Sequence, residues 1–226
     1  MNEAHRFKNY LLKSNYSSSV FDYVIHEIFT EEIYRFKSQK NNHIILDIGA
    51  NIGLTSLFFK ELYPDSEIIV FEPDPSSFLC LKENLNGLNI QMNPFAVSNS
   101  NGSSKFYVNE NSAKNFPVAS LHQNEFSQKE INVEVVDIVD IISKLECIDF
   151  CKIDVEGEES NIIEGLINGK LINKVQEYII EYHFWVKQKY SLKQILQLFY
   201  ENGFNNERIK EEKWNGYKNC IIRFYK

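Results

Sequence analysis

From residue 44 to residue 201, short apolar runs alternate with helical patterns, and that alternation restricts the fold more than any single motif. HIILDIG reads as a strand, and IGLTSLFFKELYP as a helix stopped by Pro64. EIIVFEP is a second strand, with PSSFLCLKENLNG as its helix, ended near Gly87. NIQMNPFAVS is a third strand region. IDFCKIDVEG is a fourth strand with EESNIIEGLIN as its helix, and VQEYIIEYH is a fifth. SLKQILQLFYENG is the last long helix, and FNNERIK with KNCIIRFYK reads as a terminal pair of strands. Strand and helix repeated at this spacing predict a doubly wound α/β sheet with right-handed crossovers. GSSKFYVN and INVEVVDIVDII read as flanking strand or hairpin material, and residues 105–135 break the rhythm as an expected insertion or lid.

The first 40 residues read differently. SSSVFDYVIHEIFTEEIYRFKSQ places Val20, Tyr23, Val24, Glu27, Ile28 and Ile33 at three- and four-residue steps, behind a serine run that supplies an N-cap. The expected organisation is an N-terminal helical extension, 1–40, and one α/β domain, 41–226. A chain of 226 residues suits one substantial core better than two. The N-terminus carries no apolar signal-peptide core, and no apolar run approaches the ~20 residues of a membrane span. Four cysteines, at 80, 147, 151 and 220, lack zinc-knuckle spacing and read as reduced, structural thiols. A cytoplasmic protein without a membrane span is expected. The net charge of −7, with no basic block, argues against a nucleic-acid partner.

In an open α/β sheet, ligands sit outside the carboxyl ends of the strands, near the point where strand order reverses. At the first such end, Asp47 closes the strand, and Gly49 and Gly53 bracket a turn into a helix. Glycine at 49 lets a ligand approach the main chain. A dinucleotide fingerprint needs glycines at 49, 51 and 54, but Asn51 and Leu54 stand there, and there is no Gly-Lys-Ser/Thr phosphate loop. The pattern D-x-G-x-x-x-G is left without a pyrophosphate cradle. At the second end, Glu72 lies 19 residues after Gly53, where a carboxylate grips a ribose diol with one oxygen per hydroxyl. Asp74, just before Pro75, suits a helix N-cap better. A phosphate-free turn with a ribose acid fits S-adenosylmethionine better than NAD.

The third end is KIDVEGEE. Lys152, Asp154 and Glu156 alternate and would share one face of an extended strand, with Glu158 and Glu159 opening the next helix. At the fourth end, Glu181 and His183 alternate in IIEYH. An ordinary imidazole pKa near ~6.5 suits His183 to take a proton from a hydroxyl.

ILDIGANIGLTSLFF, IIVFEPDP, NPFAVSNSNG, ASL (Ala119 to Leu121), VVDIVDII, IDFCKIDVEGEESNIIEGL and YIIEYH, in this order, resemble the FkbM family of S-adenosylmethionine-dependent methyltransferases. The resemblance implies a class I methyltransferase fold, a Rossmann-like sheet of seven strands with the last antiparallel. It also implies O-methylation of a small-molecule or glycan acceptor. By the same resemblance Asp47, Gly49, Asn51 and Gly53 line the methionine and ribose side of the cofactor, and Glu72 takes the ribose hydroxyls. Ala96 and Val97 lie by the adenine. Asp154 and Glu156 sit by the methyl group and acceptor, and Glu181 and His183 face the acceptor pocket. His183 is the first candidate base, Asp154 the second, and Lys152, Glu156 and His183 the substrate-side set. No resident metal is expected, although Asp154, Glu156 and Glu181 form an oxygen-rich set suited to Mg²⁺. A NAD-dependent oxidoreductase and a decayed binding module are the alternatives from other classes, and a homo-oligomer is possible. Phe106, Tyr107, Phe116 and Phe126 fall in the irregular segment, where they either stack on an acceptor or pack the insertion.

Overall fold

The structure is a computed structural model describing residues 3–38, 40, 42–109, 119–123, 128–214 and 217–226. The chain opens with a hairpin of β1 (Glu3–Phe7) and β2 (Tyr10–Ser14), followed by α1 (Ser18–Ile25). β3 (Ile44–Ile48), α2 (Leu54–Leu62), β4 (Glu67–Phe71), α3 (Pro75–Asn84) and β5 (Ile90–Asn93) form the first winding. Then come β6 (Ala96–Ser98), β7 (Gly102–Val108), β8 (Lys129–Asp137) and the short α4 (Ile138–Ile142). β9 (Ile148–Ile153), α5 (Glu159–Asn168), β10 (Val175–His183), α6 (Leu192–Glu201), β11 (Asn205–Trp214) and β12 (Tyr217–Tyr225) complete the fold.

The main sheet has seven strands in the order β11-β12-β10-β9-β3-β4-β5. β10, β9, β3, β4 and β5 run parallel, while β12 is antiparallel to both β10 and β11. This is the expected class I methyltransferase arrangement. Strand order reverses between β3 and β9, so their carboxyl ends open the cleft. The central strands are apolar on both faces because helices cover both. Ile45, Ile68 and Val70 join a cluster with Leu57, Phe58 and Phe59 of α2 and Leu81 of α3. Their neighbours Leu46, Ile69 and Phe71 point the other way, toward Ile162 and Leu166 of α5 and Phe199 of α6. Among the described residues no helix is long and apolar enough to cross a membrane, and all four cysteines are free.

Three expectations are corrected. Residues 3–17 are not helical: β1 and β2 pair antiparallel from Glu3↔Ser14 to Phe7↔Tyr10, across a turn where Lys8 has φ +49°. Leu12 and Ser14 are buried while Leu11 is exposed, a strand period of two that the helical reading overrode. The helix begins only at Ser18, with Ser17 in the N-cap position but no side-chain cap bond. Its continuation widens, the Glu31 N–H reaching back to the His26 carbonyl at 3.0 Å. Leu12, Tyr16, Phe21, Ile33, Tyr34 and Phe36 of this region share the cluster under α2 and α3.

Second, VVDIVDII is strand only to Asp137, whose carboxylate accepts from the Val139 N–H at 2.9 Å and starts α4. Third, β9 stops at Ile153, and Glu156 sits in a turn at φ +54°, so strand alternation does not place it. The irregular segment contributes β7 and β8 to a three-stranded sheet with β6, where Phe106 packs against Ala96, Val133 and Val135. Phe116 and Phe126 lie outside the described residues.

Candidate active site

The turn after β3 is pinned to its neighbour strand. The N–H groups of Gly49 and Ala50 both donate to the Phe71 carbonyl, at 2.9 and 3.0 Å. Gly49 has φ +81°, and a Cβ there would lie 1.7 Å from the Asp154 carbonyl oxygen. Glycine is therefore required first by the close passage of the β9 end. Gly53, at φ +86°, abuts Leu85 and Leu81 and lets α2 settle on α3.

Glu72 follows β4. One carboxylate oxygen accepts from the Asn51 N–H at 2.8 Å and the other from the Asp74 N–H at 2.7 Å. Burial, reinforced by the nearby Asp74, pushes its pKa up to about 8 despite those two donors. Asp74 is an N-cap, accepting from the Ser77 N–H at 2.9 Å. Ile48, Gly49, Asn51, Glu72, Ala96 and Val97 line a cavity of about 380 Å³, along with Asp154 and Glu156.

Asp47 lies beneath this cavity rather than on its wall. It is fully buried, accepts from the Ser56 hydroxyl at 2.6 Å, and its other oxygen is 3.5 Å from the Lys152 ammonium. Lys152, also buried, donates to the Gly49 carbonyl at 2.9 Å and pairs with Asp154 at 3.1 Å. Burial opposes its charge, but Asp154 and Asp47 outweigh burial and raise its pKa. This lysine ties the ends of β3 and β9 together.

A second cavity, about 170 Å³, holds the carboxylate–histidine cluster. Gly49, Asn51, Asp154 and Glu156 border it as well, and Lys152, Glu181 and His183 lie on its wall. Four carboxylates surround the buried His183. Nδ1 lies 2.8 Å from Glu159, and Nε2 lies 3.2 Å from Glu156, 3.6 Å from Glu181 and 3.9 Å from Asp154. Burial alone would discharge the ring, yet Glu156, Glu159 and Glu181 together raise its pKa well above the usual value. Burial in turn lifts Glu156 to about 7 and Glu181 well above the carboxylate range, with Asp154 raising both further. Glu181 also accepts from the Asn219 amide.

The expected residues thus fall into three places. Glu72, Asn51 and Ala96 line the larger cavity, while Asp154, Glu156, Glu181, Lys152 and His183 meet at the smaller one. Asp47 and Gly53 support the turn from behind. Sequence reasoning missed Glu159, whose fully buried carboxylate also accepts from the Gly157 N–H at 3.0 Å and Gln188 at 2.7 Å. Its signal was present as the last residue of VEGEE, but a charge in a first helical turn reads as a solvated one.

Known proteins resemble this chain in sequence and in fold. The family described as Methyltransferase FkbM domain matches residues 47–205. The 2-O-methyltransferase NoeI of Sinorhizobium fredii is 32% identical over 142 residues, 56% of this chain and 58% of that protein. A crystal structure of methyltransferase FkbM from Methylobacillus flagellatus superposes with a TM-score of 0.56 at 16% identity, covering 87% of this chain and 46% of that one. M. capricolum TrmK, solved with S-adenosyl-homocysteine, gives 0.51 at 12% identity over 87% of this chain and 67% of that one.

Proposed function

This chain belongs to the FkbM methyltransferase family, and we propose that it methylates a hydroxyl of a sugar or natural-product acceptor from S-adenosylmethionine. One observation carries the reading. The cavity with Glu72 and the cavity with His183 share Gly49, Asn51, Asp154 and Glu156, so a nucleoside in one meets proton-accepting groups at the border of the other. NoeI, a 2-O-methyltransferase by name, supports oxygen as the acceptor atom.

The residues fit such a donor. Glu72 keeps lone pairs for a ribose diol beyond its two backbone bonds, and Ala96 and Val97 offer an apolar edge for adenine. Around His183, the carboxyl oxygens of Asp154, Glu156, Glu159 and Glu181 make an electronegative lining that suits a cationic donor. When bound, S-adenosylmethionine supplies an already activated methyl group. The chain is then left to align the acceptor oxygen and accept its proton. His183 holds a proton through neutrality, so the proton enters the Glu156–His183 pair as a unit. Glu156, poised at about 7, is its carboxylate face.

Calorimetric titration separates this reading from its rivals. Binding of S-adenosylhomocysteine with no binding of NADH supports it. Preferential NADH binding indicates an oxidoreductase, and binding of neither indicates a decayed module.

A metal-assisted variant rests on a separate observation: Asp154, Glu156 and His183 offer ligand atoms within 4.8 Å of one another. A hard divalent cation there would orient the acceptor hydroxyl and lower its pKa. Methyl transfer that survives exhaustive chelation removes this variant.

A further inference from the structure

Tyr16 and Tyr34 come from the segment ahead of the family match, yet both line the smaller cavity. They are 6% and 5% exposed, and neither hydroxyl has a hydrogen-bond partner among the described residues. Neither oxygen is among the sealed, unpartnered polar atoms, so each opens on the cavity and is free to donate there. Two such donors on one wall point to an acceptor oxygen brought by a ligand.

The other groups on that wall narrow its chemistry. Lys152 is committed to Gly49, Asp154 and Asp47, and Lys218 pairs with Glu211 at 2.7 Å. Ligand oxygens therefore meet the two phenols and the first turn of α2, where Leu54 and Thr55 line the cavity and the helix dipole favours negative charge. A ligand cation meets Asp154, Glu156 and Glu181 instead. A carboxylate beside an ammonium, the zwitterionic end of an α-amino acid, satisfies both sets.

Position agrees with that ligand. Burial keeps both phenols protonated. The carboxylates acting on Tyr16 are Glu72, Asp154 and Glu156, and those on Tyr34 are Glu181, Asp154, Glu27 and Asp47. Tyr16 lines the smaller cavity together with Asp154, Glu156 and Glu181, and the Lys152 ammonium lies 5.7 Å from the Tyr34 ring centre.

We propose that Tyr16 and Tyr34 bind the carboxylate of the methyl donor's amino-acid end, so that the N-terminal segment completes the donor site. The proposal rests on the methyltransferase reading above, and its test uses ligands that separate the two. S-adenosylhomocysteine carries the amino-acid end, and 5′-methylthioadenosine lacks it. In Tyr16→Phe/Tyr34→Phe, the dissociation constant for S-adenosylhomocysteine rises roughly tenfold or more, while that for 5′-methylthioadenosine stays within about twofold. The ligand-free variant melts no lower than the wild type, because each substitution removes only an unpartnered oxygen. In the unaltered protein, decarboxylated S-adenosylmethionine binds more weakly than S-adenosylmethionine, a comparison that needs no variant. Equal weakening of both thio-ligands, or none, overturns the proposal and leaves the methyltransferase reading intact, as does equal binding of the decarboxylated donor. Failure of the unaltered protein to bind either thio-ligand overturns both.

Discussion

The Nδ1 of His183 lies 2.8 Å from the Oε1 of Glu159, and both side chains are buried. This contact joins the end of β10 to the first turn of α5, and leaves Nε2 facing Glu156, Glu181 and Asp154. A histidine held this way is an ion-pair member in the resting protein. Its raised pKa contributes stability that is fully present below the unfolded value of ~6.5 and is lost as pH rises through the folded value. The ¹³Cε1 shift of His183, followed by NMR, is expected to report an imidazolium at pH ~7. Glu159→Gln keeps an oxygen near Nδ1 but removes the charge, and lowers that midpoint.

Glu72 carries the same sign of pH dependence, although there it is the neutral form that the fold favours. Its pKa is raised to about 8, so the ligand-free fold favours the protonated acid. The stability it contributes is present below the unfolded carboxyl pKa of ~4.3 and declines as pH rises toward 8. Chemical denaturation across that window is expected to show the decline in the wild type and a shallower one in Glu72→Gln. The same variant weakens S-adenosylhomocysteine, because an amide cannot offer acceptor oxygens to both ribose hydroxyls.

Gly49→Ala and Gly87→Ala form a matched pair. The two glycines have φ +81° and +80°, but a Cβ at 49 meets the Asp154 carbonyl at 1.7 Å, whereas nothing lies within 4 Å of one at 87. Urea denaturation is expected to show about 1 kcal/mol lost at position 87, from backbone strain alone. At position 49 the loss is about 3 kcal/mol or more, with cofactor binding abolished, because β3 and β9 must separate.

Lys152→Met strands two carboxylates. Asp47 then keeps only the Ser56 hydroxyl, and Asp154 keeps only the more distant His183 ring at 3.9 Å. A loss of about 3–5 kcal/mol is expected at neutral pH. Adding Asp47→Asn restores part of it, and the double-mutant cycle measures the coupling.

The sheet was legible because parallel strands covered on both sides leave continuous β-branched runs, as in IILDI and EIIVF. The cleft was legible because acids such as Glu72 and Asp154 follow those runs. Two features were not. The β1–β2 hairpin is five residues a side, too short for its alternation to outweigh the helical pattern that starts at Ser18. Glu159 looked like a dipole-capping charge, and its partner His183 is 24 residues away on another element. The Gly49 position was read rightly as needing bare backbone, but the group that requires it is the protein's own Asp154 carbonyl.

A crystal structure with S-adenosylhomocysteine tests the central claim most directly. The expected density places the adenosine in the larger cavity, the ribose diol on the Glu72 carboxylate, and the sulfur at the border formed by Gly49, Asp154 and Glu156. A nucleoside bound away from Glu72, or a sulfur remote from the His183 cluster, would contradict it.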